Sequence, residues 1–298
     1  MKGPPDRASG GAAPAGSSPV QQLGRLSAAP DADAGAWILA AIRDFDYTVG
    51  SIVPPVFDAY ARVFHPASRG RGGDGTAVSW AEVAHANGRA MHAAAEWGSI
   101  TGSWDYQYRA TQPGLWDDPP ATGELPCEVG QRLVAVLSEH TDDPGRAFFG
   151  VWEGWGTPAG SFVFTDDTPE VARQHRRDVF DAEVAAWLGL VGGAASFPVP
   201  NRRMHLLRGP LVAIEDFYRR YDDEPSLCLR SPPSLWWPGD ASWIVGTDID
   251  LMTTYVGASR RAIEALLADE RLEVLPVPDS QSVTWEADTV NPLPKPVV

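Results

Sequence analysis

The chain has 298 residues, 44% hydrophobic and 21% charged, with a formal net charge of −15 at pH 7. That is enough apolar material for a sizeable core, and too few cations for a partner held by its phosphates or for an anionic membrane surface. Two cysteines, Cys127 and Cys228, have no zinc-type spacing and are expected as thiols in a reducing, cytoplasmic setting.

Residues 1–35 contain 23 Gly, Ala, Pro or Ser and little to bury, which predicts a disordered tail. MKGPPDRASGGAAPAG has no apolar stretch of the signal-peptide kind, and runs such as Trp37–Ile42 are far shorter than a membrane span. Ordered structure is expected from about Trp37, with Ala36–Phe45 a short helix. Phe57–Ala67 alternates, with Phe57, Ala59, Ala61 and Val63 to one side, as a half-buried strand does. Arg69–Gly75 reads as a glycine-rich surface loop. Ser79 followed by Glu82 is a capping-box pattern opening a helix that Gly88 closes. Pro126 starts another, with Val129, Leu133, Val136, Leu137 and His140 on its stripe. Arg146–Trp155 and Ser161–Thr165 read as strands, and a long helix runs from Thr168 to about Leu190, before Gly192-Gly193. Strand Arg202–Arg208 and helix Leu211–Tyr221 follow. The last unit is strand Ser242–Asp250, a loop, helix Arg260–Ala268 and strand Leu272–Val277.

This irregular order predicts an α+β fold, a mainly antiparallel sheet with interspersed helices, rather than a doubly wound one. Residues 36–290 are expected to form one domain, the alternative being two lobes divided near 193–200. Residues 291–298 form a proline-rich end.

Five stretches resemble a family of actinobacterial proteins: VGSIVPPVFDAYARVFHPA (Val49–Ala67), LPCEVGQRLVAVLSEHT (Leu125–Thr141), VWEGWG (Val151–Gly156), MHLLRGPL (Met204–Leu211) and SPPSLWWPGDASWIVGTDIDLMTTYVGAS (Ser231–Ser259). The resemblance covers most of residues 45–277. It implies a bacterial cytoplasmic setting; no established activity, cofactor or catalytic residue comes with the family.

The chain contains no phosphate loop, no dinucleotide-binding glycine motif, no H-E-x-x-H and no G-x-S-x-G elbow. A Ser-His-Asp triad assembled from distant segments stays open, because triads are defined by geometry. His85, His92, His140 and His175 are read as packing or capping residues. The outlier is tryptophan, with 12 copies. Trp152 and Trp155 bracket Glu153, and Trp236-Trp237 precede a strand. Adjacent rings on an extended chain point to opposite sides, so one of the latter pair is expected to face outward or into a cleft, where aromatic faces bind sugars, cations or planar rings.

On strand Ser242–Asp250, Trp243, Val245, Thr247 and Ile249 share one face. Gly246, Asp248 and Asp250 share the other, leaving room above the glycine. Two carboxylates so placed repel unless solvated, protonated or bridged by a cation, so Asp248 and Asp250 are candidate ligands for a divalent cation, Mg²⁺ or Ca²⁺. The following loop is no EF-hand, with Met252 at its fifth and Ser259 at its twelfth position. Ser259 is a helix N-cap. Arg260 and Arg261 lie at the positive end of that helix, which either a bound anion or pairing with Asp248 and Asp250 would relieve.

Three functions fit these features. One is a non-enzymatic cytoplasmic binding or interaction protein with a groove along Trp236–Arg261. Another is a metal-dependent enzyme for a phosphorylated or carboxylated small molecule, gripped by Ser259 and Arg260. The third is a carbohydrate- or ring-binding module using Trp152, Trp155, Trp236 or Trp237. Nucleic acid and membrane are not expected as partners.

Overall fold

The computed structural model describes residues 22–42, 44–70, 75–104, 111–155, 170–218, 220–221, 224–228 and 230–294. The first half contains β1 (Gln22–Leu23), β2 (Leu26–Ala28), α1 (Ala36–Ala41), β3 (Ala59–Phe64), β4 (Ala67–Arg69), β5 (Thr76–Val78), α2 (Trp80–Ala86), α3 (Trp97–Thr101), α4 (Cys127–Leu137) and β6 (Ala147–Trp152). The second contains α5 (Glu170–Gly192), β7 (Ser196–Val199), β8 (Arg202–Gly209), β9 (Arg220–Tyr221), β10 (Glu224–Cys228), β11 (Leu235–Pro238), β12 (Trp243–Gly246), β13 (Thr253–Ala258), α6 (Arg260–Leu267) and β14 (Val274–Val277).

Ten strands form one sheet in the order β1-β2-β8-β6-β11-β12-β13-β3-β14, with β7 sharing an edge of β8 with β2. Its pairings are all antiparallel, and the fold is α+β. The centre of the sheet is covered on both sides. On one face α4, α5, α6 and a 3-10 helix, Leu211–Tyr218, bury Val63, Phe149, Trp236, Trp243, Val245 and Val256. On the other, α1, the turn Val49–Ser51 and their flanking loops bury Tyr60, Leu206, Leu235, Trp237, Ile244 and Tyr255. A third cluster around Trp80, Trp97 and Trp116 packs α2 and α3 under one end of β3. Large rings fill these layers because each buries ~150–250 Å². Among the described residues no helix is long and apolar enough to cross a membrane.

Several local expectations hold. Ser79 Oγ accepts from the Glu82 N–H at 3.1 Å and starts α2. Ser259 Oγ accepts from Ala262 N–H at 3.3 Å and starts α6. Others need correction. The expected tail of residues 1–35 is structured from Gln22: β2 pairs with β8, and Leu26 is fully buried beneath α5 and the Leu211–Tyr218 helix; residues 1–21 lie outside the described part. β3 is buried on both faces rather than half-buried, since helices cover one side and loops the other. The strand expected at Ser242–Asp250 ends at Gly246, and the loop expected after it is β13, whose six residues are all buried. Leu211–Tyr218 winds as a 3-10 helix. β7 falls in the interval 193–200 and pairs into the same sheet as its neighbours, so no boundary between lobes lies there. In the proline-rich end, Asn291 is buried and its side chain donates to Ala90 O and Asp288 Oδ2, both at 2.9 Å. Residues 71–74, Ser161–Thr165 and 295–298 lie outside the described part.

Candidate functional site

Because neighbouring strands are antiparallel, their ends gather into two rims. One rim collects the C-terminal ends of β3, β6 and β12 with the N-terminal ends of β8, β11 and β13. Asp248 and Asp250 follow β12 on this rim, and the opposing charge is a residue that spacing did not reveal. Arg202, the first residue of β8, donates from Nη2 to Asp248 Oδ1 and Oδ2 at 3.0 Å and from Nε to Oδ2 at 3.2 Å. The same Nη2 reaches Asp250 Oδ2 at 3.2 Å. Asp248 Oδ1 also accepts the Asp250 N–H at 3.1 Å, which closes the turn. The guanidinium therefore stands where a bridging cation was expected, and no group of three His, Cys, Asp or Glu among the described residues is arranged to hold a metal ion. The space expected above Gly246 is taken by the chain itself: a Cβ there would lie 2.8 Å from Val53 Cγ1 and 3.0 Å from Ile52 Cγ2.

Arg260 and Arg261 are exposed at the other rim, beyond the far end of β13. Six extended residues, about 20 Å, separate them from the aspartates, so neither the expected pairing nor a shared metal-and-anion cavity forms. Trp236 and Trp237 do point to opposite faces, but both faces are covered and the rings are 0% and 1% exposed. Trp236 meets Trp243 edge-on at 5.2 Å, while Trp237 packs with Phe148, Trp37 and Phe197. Neither ring lines a groove, because residues distant in sequence supply the covering layers.

The other tryptophan pair is at the polar rim. Trp152 ends β6 and folds back over Gly154, where a Cβ would come within 2.1 Å of the indole; only glycine permits that approach. The chain then turns through Glu153–Trp155 and sets Trp155 against Trp152 at 5.7 Å and 76°. The Arg202 guanidinium lies 5.7 Å from the Trp152 ring centroid, so the clamp on the aspartates also braces this indole. Glu153 pairs with Arg203 at 3.5 Å.

Behind these rings lies a cleft of about 250 Å³ between the sheet and the last turns of α5. Trp152, Trp155 and Trp187 form its aromatic walls; Glu153, His205 and Ser231 are polar parts of its lining. Two buried nitrogens in this lining, Trp155 Nε1 and His205 Nδ1, have no hydrogen-bond partner among the described residues. The indoles of Trp97 and Trp236 are unpartnered among the described residues too, but they sit in packed core; that of Trp37 is partly buried on the opposite face of the sheet. A pocket with aromatic walls and a few convergent polar groups is what small-ligand sites have in common.

Two other cavities differ in kind from this one. A wider cleft of about 880 Å³ lies between the β4–β5 hairpin and α4; some of its polar groups are engaged, while Arg132 Nε in its lining is a single buried nitrogen without a partner among the described residues. Glu273 accepts the Trp80 and Ala81 N–H groups at 2.6 and 2.7 Å, and Arg132 pairs with Asp269 at 2.5 Å. On the opposite face of the sheet from the aromatic cleft, a narrow slot beside Arg202 and Ser234 holds about 30 Å³, room for roughly one water.

Two internal polar systems support the same rim. His65, fully buried, places Nδ1 2.8 Å from Ala121 O and Nε2 2.8 Å from Thr254 Oγ1, which in turn meets Thr247 Oγ1 at 2.7 Å. Burial lowers its pKa to about 4, so the ring stays neutral. On the other face Arg62 donates to Glu96 at 3.0 Å, Ala93 O at 3.1 Å and Thr253 Oγ1 at 3.2 Å. Burial raises the Glu96 carboxyl above its usual range against the pull of Arg62.

Of the predicted site residues, the rim thus brings together Trp152, Glu153, Trp155, Asp248 and Asp250, and leaves out Trp236, Trp237, Ser259, Arg260 and Arg261. Sequence reasoning missed Arg202, Arg203, His205 and Ser231. His205 carried a usable signal: on RRMHLLR it shares a face with Leu207, which is turned to the helical core, and a polar residue on such a face marks either a hydrogen bond or a site. No family model, no curated protein and no solved structure matches the chain.

Proposed function

We propose that this is a cytoplasmic, non-enzymatic binding protein whose ligand is a small ring-shaped molecule seated in the Trp152–Trp155–Trp187 cleft. The observation that carries the reading is the pair of nitrogens, Trp155 Nε1 and His205 Nδ1, that have no partner among the described residues in the lining of one aromatic-walled cavity. Buried polar groups are normally satisfied, and a ligand would supply the missing partners. The resemblance to actinobacterial proteins and the acidic, cysteine-poor composition favour a bacterial cytoplasmic setting. Against an enzyme that joins Asp248 and Asp250 to Ser259 and Arg260 stands the length of β13 between them.

Tryptophan fluorescence tests the reading. Titration with a panel of sugars, nucleobases and simple aromatic rings is expected to change the emission of the wild-type chain, and the change is expected to vanish in Trp155→Leu. Emission unmoved by every member of the panel would remove it, as would turnover of any panel member that Asp248→Ala abolishes.

A further inference from the structure

We infer that the ligand of this cleft is an uncharged, hydroxyl-bearing ring of the monosaccharide class. The inference rests on the binding reading above and adds the chemistry of what is bound. Charge is the first discriminator. Among the described residues, the two arginines seen against the Trp152–Trp155 bracket are already engaged, Arg202 by Asp248 and Asp250 and Arg203 by Glu153. The cleft also includes Val191 and Gly192, the end of α5, where the helix dipole is negative. A phosphate or carboxylate would meet that end with both of these arginines already paired. A cationic ligand would find Arg202 already on Trp152 and Glu153 paired with Arg203, which leaves only the end of α5 to attract it; the amino sugar among the probes tests that attraction.

Hydrogen-bonding character is the second discriminator. The Trp155 indole can only donate, the role of His205 Nδ1 depends on which ring nitrogen carries the proton, and the Ser231 hydroxyl does both. The last helical carbonyls of α5 can only accept, and those of Gly189 and Val191 already accept from the Gly193 and Ala194 N–H groups. A ligand matching donors and acceptors interleaved over one small cavity carries groups that do both, and hydroxyls do. Shape is the third. Trp152 and Trp155 meet at 76° and form a corner, not a parallel slot. A flat aromatic ligand could stack on one wall only; a puckered ring with C–H groups on several sides can touch both. At about 250 Å³ the cleft is below the ~300–1,000 Å³ of sites for drug-sized molecules, which fits one ring.

The experiment is a titration of the ¹⁵N-labelled full chain, followed in the indole N–H region of the NMR spectrum, with Trp155→Phe identifying the Trp155 resonance. The probes are glucose, galactose, mannose and N-acetylglucosamine, with glucose 6-phosphate, glucuronate, glucosamine and phenol as charged or flat counterparts. At least one neutral sugar is expected to shift the Trp155 signal and to bind about tenfold tighter than the phosphorylated, carboxylated and amino forms. Both His205→Leu and Trp155→Phe, checked for folding by thermal melt, are expected to weaken it about tenfold. If Trp155→Phe does not fold, the resonance most displaced by His205→Gln serves as the marker. Tightest binding of the phosphate, uronate or amine would overturn the inference. A shift with phenol alone would also overturn it while leaving the binding reading in place; no shift with any probe would end both.

Discussion

The two rims of the sheet are made from the same strands, yet they differ in kind. At one, Ala59, Ala147, Gly209, Pro238, Trp243 and Ala258 come together: small or apolar residues, with Ser259, Arg260 and Arg261 beyond them at the start of α6. At the other, Arg202, Asp248, Thr253, Thr254 and His65 crowd into hydrogen-bonded systems on both faces, with Trp152 against Arg202, next to a cleft with two nitrogens unpaired among the described residues. Polarity has a different status at each. On the closed rim it is solvated and serves a helix cap; on the open rim it is buried and must find partners inside the protein or in a ligand. Burial and pairing, not the density of charged letters, separate a site from a surface.

The largest expected effect breaks the closed rim. Trp243 is fully buried, meets Trp236 edge-on and donates its indole N–H to Leu137 O at 3.0 Å. Trp243→Ala removes the ring from between the sheet and α4, so a loss of about 3–5 kcal/mol is expected from the urea midpoint. A loss under about 1 kcal/mol would mean that this end is not the packed half of the comparison.

The next tests the open rim through pH. His65 has a pKa of about 4 in the fold against an ordinary 6.5, chiefly because of burial. The unfolded chain therefore takes up the proton first as pH falls. The contribution of His65 to stability is complete above pH 6.5 and is lost on the way down to 4, on the order of 3 kcal/mol in total. Unfolding free energies of wild type and His65→Gln, compared across this window, are expected to converge as pH falls; curves that stay parallel would show that the buried relay carries no such linkage.

A smaller effect sharpens the role of the clamp. Asp248 is 10% exposed at its side chain and Asp250 77%. Asp248→Ala leaves a half-buried guanidinium with one exposed partner, and about 1–3 kcal/mol is expected to be lost, together with a change in Trp152 emission as its brace loosens. Asp250→Ala is expected to cost less than about 1 kcal/mol. Equal losses from the two would contradict the unequal partnership.

How much of this was legible in the letters follows from where each constraint resides. The caps at Ser79 and Ser259 are local, and spacing reveals them. The alternation of Trp243 and Val245 against Ile244 is local too, and the faces came out as read. The Trp152–Glu153–Trp155 bracket was visible as a candidate, though not that Gly154 lets Trp152 fold over it. β13 was missed because TTYVGA is buried on both faces and so lacks the period that marks a half-exposed strand, although its β-branched and aromatic residues favoured one. Trp236 and Trp237 were assigned to opposite faces correctly, but the layers that cover both come from far along the chain. Arg202 is 46 positions from Asp248, and no local pattern pairs them.

The smallest expected effect belongs to the residues that looked most like an anion site. Arg260 and Arg261 are exposed in the first turn of α6, where the dipole disfavours a cation by a few tenths of a kcal/mol. Removing either charge relieves that cost and breaks no bond to the aspartates, so Arg260→Ala and Arg261→Ala are each expected to change stability by no more than about 0.5 kcal/mol. Ligand affinity in the aromatic cleft should be untouched, since the length of β13 separates the two. Ser259→Ala, one position earlier, is expected to cost about 0.5–2 kcal/mol, because it deprives Ala262 N–H of its acceptor. If either arginine proved as costly as the serine, the closed rim would be holding something of its own, and the division between the two ends would have to be redrawn.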